Sequence, residues 1–232
     1  MVTRFPWDKF PPVITHTTRA SVEAHPAHVA ARRGDYMAAR QLARDLVKAA
    51  VWTGRVDYIC PAIQFDAAGH WNAIPVAFAE ILAEQTGAKL VANVLREKAA
   101  ADYPTDSISR IVHQSGFDGH VPKGSYLICS DICTYGSTFA NLRGHIIHQG
   151  GDVVAATALA ANIFSSTLVP DTTVLMGISA RFRNELSTIT THLGFDYDRL
   201  TSREAYFIYG LKNLECIRNP QAPSHRIAGP KF

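Results

Sequence analysis

The sequence predicts an α/β fold: a mainly parallel twisted sheet with helices on both faces, plus helical additions at the N- and C-termini. Three observations predict it. Short β-type runs alternate with stretches of helical period from residue 56 to about 160. The run Ser125 to Ser130 is continuously apolar at its centre, as in a strand covered on both faces. Thr53-Gly54, Pro61, Gly87 and Gly150-Gly151 punctuate the ends of these runs.

Residues 1–26 carry Pro6, Pro11, Pro12 and Pro26 without a clear period and read as an irregular arm. Tyr36, Ala39, Leu42, Ala43, Leu46, Val47 and Ala50 then recur at steps of three and four within a helical stretch from about Ala27 to Val51. Gly34-Asp35 divides it, with Asp35 as the cap of the second part. Val56 to Cys60 is a first strand. Pro75 suits the first turn of a helix whose buried stripe is Ile74, Phe78, Ile81 and Leu82, ended by Gly87. Leu90 to Leu95 reads as a second strand. Arg96 to Gly124 is polar, with at most a short helix at Ile108 to His113; a connection this long is usually functional. After the third strand comes a helix from about Ser137 to Gln149, a fourth strand from Asp152 to Ala158 and a candidate fifth from Thr173 to Met176. Leu186, Ile189 and Leu193 mark a further helix, and Thr201-Ser-Arg-Glu204 is a capping-box pattern opening another. The tail from Arg218 is rich in proline and basic residues. These readings divide the chain into an N-terminal arm and helices (1–55), a core (56–180) and a C-terminal helical segment and tail (181–232).

With 232 residues, 47% of them hydrophobic, there is material for one sizeable core. A net charge of +3 demands no polyanionic partner, so nucleic acid is not indicated, while small phosphorylated ligands are allowed. Cys60, Cys129, Cys133 and Cys216 form no disulfide framework, which fits a reducing, cytoplasmic setting. No run approaches the ~18 apolar residues of a membrane span, and Met1 to Trp7 lacks the apolar stretch of a signal peptide.

The informative segment is Tyr126-Leu-Ile-Cys-Ser-Asp-Ile-Cys-Thr-Tyr-Gly-Ser-Thr138. A buried strand runs into an acid, then a loop of glycine and hydroxyls, then a helix start. Asp131 falls at the carboxyl edge of the sheet, where open α/β folds bind ligands. Gly136 permits a turn that aims successive N–H groups at one point, and the following helix adds free N–H groups and the positive end of its dipole. Thr134, Ser137 and Thr138 have hydroxyls for phosphate oxygens. Asp131 can accept from sugar hydroxyls, a capacity that a phosphate site alone does not require.

In these residues the chain resembles the type I phosphoribosyltransferases. The fingerprint of that family is four apolar residues, two acids and a T-x-G-x-T loop. Tyr126 to Cys129 match the strand, Asp131 the second acid, and Thr134-Tyr135-Gly136-Ser137-Thr138 the loop; Ser130 stands where the first acid is usual. The Pro61 turn and Gly69-His70-Trp71-Asn72 are most similar to the competence-associated (ComF-like) subgroup. The resemblance implies that the loop holds the 5-phosphate of phosphoribosyl pyrophosphate and that Ser130 and Asp131 meet its ribose hydroxyls. It implies Mg²⁺ as cofactor, with Asp131 the candidate ligand, and a homodimer. It places Pro61, Ala62 and Ile63 at the diphosphate, where the family often has a basic residue. None lies between Pro61 and Gly69; Arg96 and Lys98, with Arg110 behind them, are the candidates for the missing charge, and His70 is another donor. Asp131, Arg96 and Lys98 are thus the candidate catalytic residues.

The implied activity is transfer of phosphoribose to a nitrogenous base, with a nucleobase or nucleotide as the other small-molecule partner. The alternative is a non-catalytic binder of nucleotide or phosphoribosyl pyrophosphate with a regulatory or accessory role, consistent with the absent first acid and the absent basic residue. Cys129, Cys133, His145 and His148 match no standard zinc spacing. Phe182, Phe195 and Tyr197 are candidates for a base pocket that core packing explains equally well, and His113 and His120 lie in the long connection.

Overall fold

The computed structural model of the chain describes residues 2–48, 54–65, 69–97 and 107–220. In chain order its elements are β1 (Ile14–Thr15), α1 (Arg19–Glu23), α2 (His28–Arg32), α3 (Tyr36–Leu46), β2 (Tyr58–Pro61), α4 (Ile74–Thr86), β3 (Lys89–Leu90), β4 (Leu95–Arg96), α5 (Ser107–Val112), β5 (Phe117–Asp118), β6 (Ser125–Cys133), α6 (Ser137–His148), β7 (Asp152–Ala161), α7 (Thr172–Arg181), α8 (Leu186–Leu193), α9 (Ser202–Tyr209) and α10 (Glu215–Arg218).

The apolar strand β6 is the centre of a five-stranded sheet in the order β1-β7-β6-β2-β3, every pair parallel. Its side chains alternate between two cores. Leu127 and Cys129 pack with α3 and α4 on one face. Tyr126 and Ile128 pack with Phe139, Leu142 and Ile146 of α6 on the other. Covered on both sides, the strand has no solvent face, which is why its centre carries no polar residue. The α/β reading of the sequence is therefore correct.

From β2 the chain runs through α4 to β3 at one edge, then returns to β6 on the opposite side of β2 and continues through α6 to β7. The connections leaving β2 and β6 diverge to opposite faces. Such a switch point opens a crevice at the carboxyl edge.

A third core gathers α5, α7, α8, α9 and α10 around Ile111, Ile178, Ile189 and Ile208. Caps agree with the sequence: the Asp35 carboxylate accepts from the Ala38 N–H, Gly87 ends α4 at φ 74°, and Thr201 and Glu204 form the capping box of α9.

Three expectations are corrected. Thr173 to Met176 is helix, not strand: the Asp171 side chain accepts from Thr173 N–H, and Val174, Ile178 and Phe182 bury one face. The β-branched Thr172-Thr173-Val174 imitates a strand, yet the spacing of four is helical. The fifth strand is instead β1, from the arm read as irregular; with two residues it is too short to show a period. Finally, Leu90 to Leu95 is not one strand. Lys89–Leu90 pairs with β2, whereas Leu95–Arg96 pairs with Phe117–Asp118 in a separate antiparallel ladder.

Candidate functional site

Gly136 lies at φ 80° and caps α6 without any side-chain hydrogen bond. The first helical bond is donated by Ala140 to the Gly136 carbonyl. The N–H groups of Ser137, Thr138 and Phe139 therefore precede any intrahelical acceptor. Among the described residues the hydroxyls of Thr134 and Thr138 have no partner. The loop carbonyls, by contrast, are tied back. Ser165 Oγ donates to the Thr134 carbonyl and Thr201 Oγ1 to that of Tyr135 at 2.6 Å. In a trans peptide the N–H points opposite the carbonyl, so these bonds turn the Tyr135 and Gly136 N–H groups away from the donors. Burial pushes the Cys133 thiol up to about 12, against a hydrogen bond from the Gly136 main chain. The free N–H groups of the first turn of α6 are thus the ones offered to an anion. Glycine suits position 136: other residues are strained at φ 80°, and a Cβ there would lie 2.5 Å from Leu168 Cδ2 and force that side chain to shift.

Asp131, 4% exposed, ends the unbroken buried run of β6 that begins at Tyr126. Its Oδ2 accepts from Asn72 Nδ2 at 2.7 Å and faces Arg32 Nη1 at 3.6 Å. Its Oδ1 accepts from the Ile132 N–H at 2.8 Å and from Ser130 Oγ at 3.3 Å. Ser130 thus turns its hydroxyl onto Asp131. The Arg32 side chain is 45% exposed and reaches the carboxylate from outside. His28, one turn earlier on α2, has a buried Nε2 without a hydrogen-bond partner among the described residues. Burial lowers its pKa first and Arg32 lowers it further, while Asp131 opposes the shift; near neutral pH the ring is uncharged.

On the other side of the switch point, Pro61, Ala62 and Ile63 continue β2 into the first loop, with Ala62 N–H donating to the Cys129 carbonyl at 2.8 Å. Ile63 bridges to Leu95, and its carbonyl accepts from Arg96 N–H at 2.9 Å. The Arg96 guanidinium donates to Gln64 Oε1 at 3.0 Å. A half-buried arginine therefore stands beside the loop that has no basic residue of its own; burial lowers its pKa, but arginine stays charged.

Lys98 lies outside the described residues. Arg110 is on α5, whose main packing partners are α8 and α10. His70 and His120 are exposed, and the His120 carbonyl accepts from Asn93. Phe182 and Phe195 are buried in the C-terminal core, and Phe195 carries Arg4 over its ring at 4.1 Å; packing is the role they fill. Cys129 and Cys133 donate to the carbonyls of Pro75 and Ser165. Among the described residues no three His, Cys, Asp or Glu side chains come together as a metal site. Asp131, with donors on both oxygens and a guanidinium 3.6 Å away, does not fit a protein-held Mg²⁺.

Sequence reasoning missed Arg32, His28 and Glu204 as site neighbours, and took Asn72 only as part of a helix-opening stretch. Asn72 had a signal, its place in Gly69-His-Trp-Asn72. Arg32 and His28 had only their i,i+4 spacing. Glu204, fully buried, accepts from Ser137 Oγ at 2.5 Å, and nothing near it in sequence announces that contact.

No protein-family model matches the chain. It is 30% identical over 97% of its length to the protein TraN of Escherichia coli, of which the match covers 52%. It is 31% identical over 61% of its length to an uncharacterised protein of Haemophilus influenzae, of which the match covers 33%. The chain thus spans about half the length of the first relative and a third of the second. Among solved structures it is similar to an adenine phosphoribosyltransferase of Leishmania donovani, at a TM-score of 0.34 and 15% identity over 67% of this chain and 64% of that one.

Proposed function

We propose that the crevice between β2 and β6 binds phosphoribosyl pyrophosphate and that the protein transfers its phosphoribosyl group to a nitrogenous base. The observation that carries this reading is the uncapped first turn of α6, with the unpartnered hydroxyls of Thr134 and Thr138, beside the buried Asp131–Asn72–Arg32 cluster. The helix N-terminus takes the 5-phosphate through the N–H groups of Ser137 to Phe139. Asp131 and Asn72 read the ribose hydroxyls. Arg96, held against the first loop, stabilises charge on the departing diphosphate. In the reaction the acceptor nitrogen forms a bond to the anomeric carbon as the carbon–oxygen bond to diphosphate breaks, and diphosphate leaves with the electron pair. His28 of α2, one turn before Arg32 and uncharged near neutral pH, takes the proton of the acceptor nitrogen. The likeness of the 126–138 segment to the fingerprint of the type I phosphoribosyltransferases supports this reading.

A second reading, a binder without turnover, is favoured by one observation. The Asp131 carboxylate already holds Asn72, the Ile132 N–H and Ser130, with Arg32 near by, and so serves as a structural clamp. Incubation with phosphoribosyl pyrophosphate, Mg²⁺ and a panel of nucleobases separates the two. Diphosphate release that depends on a base supports transfer. Saturable binding by calorimetry without release supports the binder, and neither binding nor release refutes both.

A further inference from the structure

Among the described residues the most heavily buried charges lie behind the anion loop. Glu204 of α9 is fully buried and Arg4 of the N-terminal arm is 2% exposed. The two form a bidentate pair, Arg4 Nη1 to Oε2 at 2.6 Å and Nη2 to Oε1 at 2.9 Å. Arg4 also donates to Asn141 of α6, to Gln114 after α5 and to the Arg199 carbonyl, and lies over Phe195. Glu204 Oε2 accepts from the Thr201 N–H, closing the capping box. Its Oε1 accepts from Gln114 and, at 2.5 Å, from Ser137 Oγ, the first residue of α6.

A carboxylate one hydroxyl away from the helix end that receives a phosphate is unfavourable unless its charge is cancelled. In a buried setting two like charges repel far more than in water. Arg4 cancels it, and Arg4 comes from a segment remote in sequence that is docked by backbone contact. The Thr3 carbonyl rests on α6 where residue 144 is glycine, and a Cβ there would lie 1.8 Å from that oxygen. Arg143 of the same helix donates to the Phe5 and Pro6 carbonyls.

We infer that Arg4 and Glu204 are positioning residues of the anion loop: Glu204 fixes Ser137, and Arg4 supplies the internal counter-charge that lets the loop accept an anion. Anion affinity is thereby coupled to docking of the N-terminal arm. This rests on the proposed 5-phosphate site and adds to it a residue distant in sequence.

The test is calorimetric titration of the full chain with ribose 5-phosphate, with folding of each variant checked by circular dichroism and melting. In Glu204→Gln the one remaining oxygen can still accept from Ser137, while the amide nitrogen takes the place of the oxygen that accepted from the Thr201 N–H; charge and capping bond are both lost, so binding is expected to equal or exceed that of the unaltered chain although Tm falls. Arg4→Met is expected to weaken binding by about tenfold or more, and Arg4→Met with Glu204→Gln to return it to within about threefold. Weaker binding by Glu204→Gln, or a folded double variant no better than Arg4→Met, overturns the inference while leaving the phosphate site intact. If Arg4→Met does not fold, the Glu204→Gln result decides alone. An unaltered chain that takes up no ribose 5-phosphate overturns the site itself, and the inference with it.

Discussion

Replacing Gly136 by alanine perturbs the anion loop at its tightest point. Two costs add. The backbone there is left-handed, φ 80°, which costs a non-glycine residue about 1–2 kcal/mol. The new Cβ would also stand 2.5 Å from Leu168 Cδ2 and 3.3 Å from Thr201 Cγ2. Overpacking of this kind costs about 1–3 kcal/mol. Urea unfolding followed by circular dichroism should therefore show a loss of about 2–5 kcal/mol, less whatever a shift of the loop relieves. Gly87→Ala is the control. Its φ is 74°, yet nothing lies within 4 Å of the added carbon, so only the conformational cost, about 1–2 kcal/mol, is expected. The excess of Gly136→Ala over Gly87→Ala measures the close approach, and loss of ribose 5-phosphate binding should accompany it. Equal losses from the two variants, with binding unchanged, would refute the reasoning.

Four further outcomes are expected. Glu204 is buried, which by itself raises its pKa, but Arg4, Ser137 and the Thr201 N–H together bring it below the ordinary 4.5. A depressed carboxylate contributes stability that is present above its unfolded pKa and is lost as pH falls through the folded one, so urea midpoints should drop below about pH 4.5, and less steeply in Glu204→Gln. Arg96→Gln should weaken phosphoribosyl pyrophosphate binding by about tenfold while leaving that of ribose 5-phosphate within about twofold, because only the former carries the diphosphate; equal effects on both ligands would remove Arg96 from the diphosphate site. Asn72→Ala takes a charge-assisted hydrogen bond from the buried Asp131 and should destabilise by about 1.5–3 kcal/mol in urea unfolding. His28→Ala should lower kcat for base-dependent diphosphate release by about a hundredfold with little effect on phosphoribosyl pyrophosphate affinity, as expected for loss of a proton acceptor.

The sheet was readable in the sequence where its residues speak for themselves. Tyr126 to Cys129 is apolar because both faces are covered, and Asp35, Gly87 and Thr201 sit at caps because their side chains or backbones satisfy helix ends. Two of the three failures have a common cause. Ile14–Thr15 is a strand only because β7 offers it partners, and Lys89–Leu90 and Leu95–Arg96 part company only because Arg96 follows the Ile63 carbonyl. In each case a tertiary contact outweighs two residues of local preference. The site divides in the same way. Asp131 and the loop to Thr138 form one continuous segment, so spacing revealed them. Arg32, His28, Arg4 and Glu204 reach that segment from distances of about 70 to 130 residues along the chain, which no local pattern encodes.

The most direct measurement is a crystal structure of the chain grown with ribose 5-phosphate. The expected result is a phosphate within hydrogen-bond distance of the Ser137, Thr138 and Phe139 N–H groups, with the Thr134 and Thr138 hydroxyls turned onto it and the sugar toward Asp131 and Asn72. Sugar phosphate bound elsewhere, with the first turn of α6 still uncapped by ligand, would contradict it.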